Sequence, residues 1–331
     1  MTARRARAAL RVVAAAVVLA ALLAATSGTA RMGDDTPSTA PAGVLPLVLA
    51  AAAGSAPAPS PAAPPRVQRP GAAAPDWEQH RVRALGVTQW IECAGSGPVT
   101  IVVVPGLGAD HRMWSRVLDP FARTTRTCVL DRPGLGGSPP RSPHRTVDAG
   151  RHADELAAAL QQVGVTGPLV VVGHSYGGLV ARAFTARHPA RVVGLALIEG
   201  VAPYDRLSPY WHEGGDRIDM VVSSAAAARL HRGSLPLLVE AAQDPGRDRW
   251  VGPSYGASAG DLDDWRAHQR AAAGLSTDSA YVVVRRSAHV IEQDRPDAVV
   301  AGVRLLVRAA TTGTPMPRCA LGRYGAQPLC G

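Results

Sequence analysis

The sequence predicts an α/β domain on a mostly parallel sheet with helices on both faces, and three observations carry that reading. Short apolar runs rich in β-branched residues recur at 100–104, 127–130, 169–172 and 192–198, each too short for a helix and apolar throughout, as strands covered on both sides must be. Segments of helical period lie between them. Most of the runs end in clusters of Gly, Pro, Asp or Ser, which break the strand into a loop.

The elements follow in chain order. Arg4, Arg5 and Arg7 precede an apolar stretch at 12–25 and the small residues Ser27-Gly28-Thr29-Ala30, the layout of an export signal. Residues 1–30 are therefore expected to be a signal peptide or an uncleaved N-terminal anchor, and no cysteine nearby allows lipid attachment. Residues 31–75, rich in Pro and Ala, read as an extended disordered linker. An apolar patch at 44–53 is about half a membrane span long and reads either as a segment that dips into a membrane surface or as a disordered apolar patch. A catalytic domain is expected over 76–313, opening on a hairpin of 77–86 and 88–93. The strand 100–104 runs into Pro105-Gly106-Leu107-Gly108, and Met113, Trp114, Val117 and Leu118 give the next helix its apolar face. The strand 127–130 runs into Asp131-Arg132-Pro133-Gly134, and a helix is expected at 154–163. The strand 169–172 breaks at Gly173-His174-Ser175-Tyr176-Gly177, behind which Leu179, Val180, Ala183 and Phe184 recur at helical spacing. Strands at 192–198, 235–239 and 281–284 follow. Pro296 opens the final helix, whose buried face is Val299, Val300, Val303, Leu306 and Val307. About 200–234 should form a small cap, in which Tyr204, Tyr210, Trp211, Met220, Val221 and Leu230 either line a pocket or pack the cap onto the core. The polar, Gly-rich stretch 250–265 would flank the entrance.

Composition narrows the function classes. All 35 basic residues are arginine, and the formal net charge is +9. The arginines are scattered, without the basic and aromatic stripe of a nucleic-acid surface, so a solvated basic exterior is expected and no nucleic-acid partner. Cys93, Cys128, Cys319 and Cys330 lack metal-ligand spacing, and no metal or cofactor is expected. An even count in an exported chain suggests two disulfides, with Cys319 and Cys330 closing a loop in a tail, 314–331, that has little core of its own.

The chemistry centres on Gly173-His174-Ser175-Tyr176-Gly177, a Gly-x-Ser-x-Gly turn between a buried strand and a helix. Such a turn strains the serine backbone and pushes its hydroxyl outward. Acyl-bond hydrolysis needs that nucleophile, a base, a carboxylate to orient the base, and donors for the developing oxyanion. His289 is the expected base, because it follows the last strand and precedes the final helix, on a loop at the carboxyl edge of the sheet. His174 precedes the nucleophile and points away from it, so a supporting role in the core is expected. Asp131 comes too early in the chain for the order Ser, acid, His. Glu199, at the end of 192–198, and Asp244, after 235–239, remain as carboxylates.

The segments Val104-Pro105-Gly106-Leu107-Gly108, Asp131-Arg132-Pro133-Gly134, Gly173-His174-Ser175-Tyr176-Gly177 and Ser287-Ala288-His289 fall in the order and spacing of the α/β-hydrolase superfamily. The resemblance covers about 76–310 and looks closest to the serine esterase and non-haem haloperoxidase-like branch. It implies an eight-stranded sheet in the spatial order 1, 2, 4, 3, 5, 6, 7, 8, and oxyanion donors at the backbone N–H groups of Leu107 and Tyr176. It makes the second and fourth strands neighbours, which would let Cys93 and Cys128 pair. The superfamily's acid more often follows the later strand, favouring Asp244. Some branches place it after the earlier one, and a charge without a task at a buried strand end is costly. Glu199 is preferred on that ground, with Asp244 as the alternative. The expected function is a secreted or otherwise extracytoplasmic serine hydrolase cleaving a small-molecule carboxylic ester through an acyl-enzyme. Acyl transfer or perhydrolysis by the same triad, and a non-catalytic binding protein on the same scaffold, are the competing readings.

Overall fold

The structure, a computed structural model, describes residues 74–201, 209–231, 233–245 and 259–330. The expected signal, nearly all of the expected linker, Tyr204 and most of the stretch expected to flank the entrance lie outside the described residues. Among the described residues no helix is long and apolar enough to cross a membrane.

One large sheet organises the domain. Its strands are β1 (Glu78–Ala84), β2 (Val87–Ala94), β3 (Thr100–Val104), β4 (Arg126–Asp131), β5 (Leu169–His174), β6 (Val192–Ile198), β7 (Leu237–Ala242), β8 (Ser279–Val284) and β9 (Gly325–Ala326). Their spatial order is β1, β2, β4, β3, β5, β6, β7, β8, β9. The strands from β4 to β8 run parallel to one another, while β1 and β2 are antiparallel at one edge and β9 at the other. The order implied by the resemblance is therefore the one observed, but with nine strands rather than eight. The extra strand comes from the C-terminal tail, which buries Met316, Leu321 and Tyr324 in the core and pairs Ala326 with Val283. Those three apolar side chains follow no regular period, which is why the tail read as coreless.

Helices α1 (Ser115–Ala122), α2 (Ala149–Gln162), α3 (Tyr176–Arg187), α4 (Met220–Ala228), α5 (Ala259–Ala273), α6 (Ile291–Asp294) and α7 (Pro296–Thr312) complete the fold. In β5, Leu169 and Val171 join a core with Leu156 of α2 and Phe184 of α3. Val170 and Val172 join the opposite core, with Phe121 of α1 and Val303 and Leu306 of α7. Alternate side chains of a strand point to opposite faces, so a strand covered twice is apolar at every position. Helix α2 starts five residues earlier than its periodicity suggested, because the Asp148 carboxylate accepts from the Gly150 and Arg151 N–H groups and caps it. Cys93 and Cys128 face each other across β2 and β4 and are joined, as are Cys319 and Cys330.

The cap consists of a hairpin, Tyr210–Glu213 and Asp216–Asp219, followed by α4, and the hairpin pairs with Thr146–Val147 to make a small second sheet. Met220 is buried in the core, whereas Val221 is 64% exposed.

A buried carboxyl in β7 yields a stability prediction. Glu240 is fully buried between β6 and β8, and neither carboxylate oxygen has a hydrogen-bond partner among the described residues. Gly302 of α7 makes room for it, since a Cβ there would overlap the carboxylate. Burial, with Asp297 adding repulsion, pushes the Glu240 carboxyl up to about 8. Between the ordinary carboxylate range and that value the native state holds a proton that the unfolded chain has lost, so stability falls as pH rises across the interval. Glu240→Gln cannot titrate and is expected to melt higher than the parent at pH 8 to 9. The gap should shrink toward pH 5, with the difference over that range on the order of a few kcal/mol. Thermal unfolding at matched pH values reads this directly, and parallel curves for the two proteins would rule it out.

Candidate active site

Ser175 sits at the junction of β5 and α3 with φ 51° and ψ −125°, in the left-handed region that side-chain-bearing residues avoid. Its backbone is held on both sides: its N–H donates to the Ile198 carbonyl at 3.3 Å, and its own carbonyl accepts from Gly178 at 2.8 Å and Val201 at 3.0 Å. Gly177 is needed because a Cβ there would collide with the Val104 and Pro105 carbonyl oxygens. The turn thus presses the start of α3 against the end of β3.

His289 lies on the loop between β8 and α6, and its Nε2 is 3.0 Å from the Ser175 Oγ. Burial, with His174 close by, holds the His289 imidazole well below the ordinary histidine value. The ring is therefore neutral at physiological pH and able to take the serine proton. His174 stands behind this base. Its Nε2–H donates to the His289 carbonyl at 2.9 Å, and its Nδ1 is 3.4 Å from Glu292 Oε1. Burial brings His174 down to about 4.

The carboxylate position is different. Glu199 is fully buried directly after β6, with φ 45°. Its Oε2 accepts from the Ala242 N–H at 2.6 Å and its Oε1 from the Trp265 Nε1–H at 2.5 Å. The Trp265 ring in turn packs edge-on against His289, with centroids 5.9 Å apart. Asp244 is exposed, and its N–H donates to the Ser287 carbonyl at 3.1 Å. The buried Nδ1 of His289 has no hydrogen-bond partner among the described residues. The structure thus brings Ser175 and His289 together, and bonds neither Glu199 nor Asp244 to the base.

Of the expected oxyanion donors, Tyr176 is the residue after the serine, and Leu107 lies on the loop after β3, whose Gly106 is so close to Ser175 that a Cβ on it would come within 3.2 Å of the Ser175 Cβ. Neither backbone N–H has a protein acceptor among the described residues, whereas Gly108 N–H donates to Glu213 Oε2 at 2.6 Å and Ala109 N–H to the Gly106 carbonyl at 3.1 Å. The Tyr176 hydroxyl lies 3.0 Å from His152 Nδ1. Three side chains here escaped the sequence reading as contributors: Arg132, Glu213 and Trp265. Arg132 belongs to the Asp131-Arg132-Pro133-Gly134 turn, but Glu213 and Trp265 carry no local signal, since their contacts are with residues 66 to 105 positions away.

A family model described as the alpha/beta hydrolase fold matches residues 99–227. A pimeloyl-[acyl-carrier protein] methyl ester esterase of Chromobacterium violaceum is 41% identical over 33% of this chain and 39% of its own length. Lipase LipV of Mycobacterium tuberculosis is 34% identical over 40% of this chain and 46% of its own. The chain therefore spans less than half the length of either of these relatives. The solved structure of a thermophilic esterase from Thermogutta terrifontis covers 72% of this chain and all of its own, with a TM-score of 0.54 at 20% identity, and this likeness concerns the fold. The chain has the α/β-hydrolase fold, and its residues 99–227 are similar to that family.

Proposed function

We propose that the protein is an exported serine hydrolase that cleaves a carboxylic ester through an acyl-enzyme. The observation that carries this reading is the 3.0 Å approach of His289 Nε2 to the hydroxyl of a strained, buried serine. His289 takes the hydroxyl proton as Ser175 Oγ attacks the ester carbonyl. The tetrahedral oxyanion is met by the Leu107 and Tyr176 N–H groups, and the imidazolium returns the proton to the leaving alcohol. Water, activated by the same imidazole, then releases the acid. Glu199 serves as the carboxylate that stabilises the imidazolium. The esterase and lipase names of the relatives support an ester as substrate. Two disulfides and the basic leader followed by an apolar stretch support export.

A panel of p-nitrophenyl esters from acetyl to palmitoyl tests the reading. The expected result is a stoichiometric burst of nitrophenol followed by slower steady turnover, with one range of chain lengths preferred. No turnover of any ester, together with no labelling by a fluorophosphonate, would leave the domain a binding module.

A further inference from the structure

The loop that carries Leu107 is held by a buried ion pair that the hydrolytic steps do not use. Arg132 follows β4, Glu213 ends the first cap strand, and both side chains are 2% exposed. The guanidinium donates Nε–H to Glu213 Oε1 at 2.6 Å and Nη2–H to Oε2 at 2.7 Å. It also donates Nη1–H to the Pro105 carbonyl at 2.6 Å and Nη2–H to the Gly106 carbonyl at 2.5 Å. Glu213 Oε2 accepts in addition from Gly108 N–H at 2.6 Å. On its other side the guanidinium lies 5.4 Å from the centre of the Tyr176 ring, the side chain of the second oxyanion donor.

The Gly106 carbonyl and the Leu107 N–H belong to one peptide unit. That unit is planar and trans, so the two groups point in opposite directions. Pinning the carbonyl on Arg132 therefore fixes the line along which the Leu107 N–H points, and a hydrogen bond at one end of a peptide strengthens the dipole at the other. Without the guanidinium the Gly106 carbonyl would keep only the 3.1 Å bond from the Ala109 N–H, and the peptide would be freer to rotate its donor out of line. A buried ion pair is weak evidence for stability, because apolar residues of similar size often do as well or better. Its use here is directional. Because Glu213 belongs to the cap hairpin, the hairpin's seating and the donor's orientation are one event. A second buried ion pair, Arg141 to Asp216 at 2.7 Å, anchors the same hairpin.

We propose that Arg132 and Glu213 are positioning residues which orient the Gly106–Leu107 peptide as an oxyanion donor, and that Glu213 makes this orientation depend on the docked cap. The proposal rests on the serine hydrolase reading. The parent enzyme is assayed first, since failure to turn over p-nitrophenyl acetate and to label with fluorophosphonate overturns that reading and not this one. Glu213→Gln and the double variant Arg132→Met/Glu213→Leu are then compared with the parent. The expected result is a fall in kcat of about 10²-fold, the effect of losing one oxyanion donor, with KM for the acetate ester changed by less than about threefold. Affinity for a trifluoromethyl ketone, whose adduct carries the oxyanion, should fall by the same factor as kcat/KM. The double variant leaves no unpaired charge, although the Pro105 carbonyl and the Gly108 N–H lose their partners, and it is expected to fold and melt within several degrees of the parent while being equally slow, so it decides the matter if Glu213→Gln does not fold. Parental kcat in the folded double variant overturns the proposal, as does a ketone affinity that does not follow kcat/KM.

Discussion

Ser175→Ala is expected to lower ester turnover by about 10⁴- to 10⁶-fold and to abolish fluorophosphonate labelling, while melting within a few degrees of the parent. The size follows from what is removed. Without the hydroxyl no acyl-enzyme forms, and what survives is attack by water assisted by His289 and the oxyanion donors. Near-parental stability follows because the backbone bonds of Ser175, to Ile198, Gly178 and Val201, do not involve its side chain. Labelling of the variant equal to that of the parent would place the nucleophile elsewhere and sink the mechanism.

The second large effect concerns the carboxylate. Glu199→Gln is expected to lower kcat by about 10³- to 10⁴-fold, and Asp244→Asn to leave it within about threefold. An imidazolium formed in a buried site needs a negative charge nearby, and on the proposed mechanism that charge is the Glu199 carboxylate. Glu199 is fully buried at the end of β6, its backbone is held at a positive φ, and the Trp265 ring that it binds is in contact with His289. Gln keeps an acceptor for one of the Ala242 and Trp265 N–H groups and sets its NH2 against the other, so the variant removes the charge with little change of volume but loses one hydrogen bond, and its melting temperature is measured alongside kcat. Asp244 is exposed, where water screens its charge. Loss of activity in Asp244→Asn alone would instead make the later strand the source of the acid.

The residues differ in how far the chain alone disclosed them. The bounds of β3 and β6 were legible to the residue, because a strand covered on both faces must be apolar at each position and must end where glycine, proline or a charge appears. Ser175 was legible because its turn obeys a local backbone rule, and His289 because loop, last strand and final helix mark its place in a parallel sheet. The nine-strand count was not, since β9 is two residues long and is held by side chains scattered along the tail. Trp265 was invisible for the same kind of reason: its role comes from one hydrogen bond to Glu199 and one ring contact with His289, neither of which leaves a pattern along the chain.

By itself the sequence determined the α/β architecture, the serine turn and the histidine loop, all of which follow from period, turn chemistry and order along the chain. Only the tertiary structure decided that Arg132 and Glu213 meet beneath the Leu107 loop, that Glu199 is buried against Trp265 while Asp244 faces water, and that the tail closes the sheet's edge. Those outcomes depend on which strands become neighbours, and the cost of burying a charge is met or not by partners that lie far away in sequence.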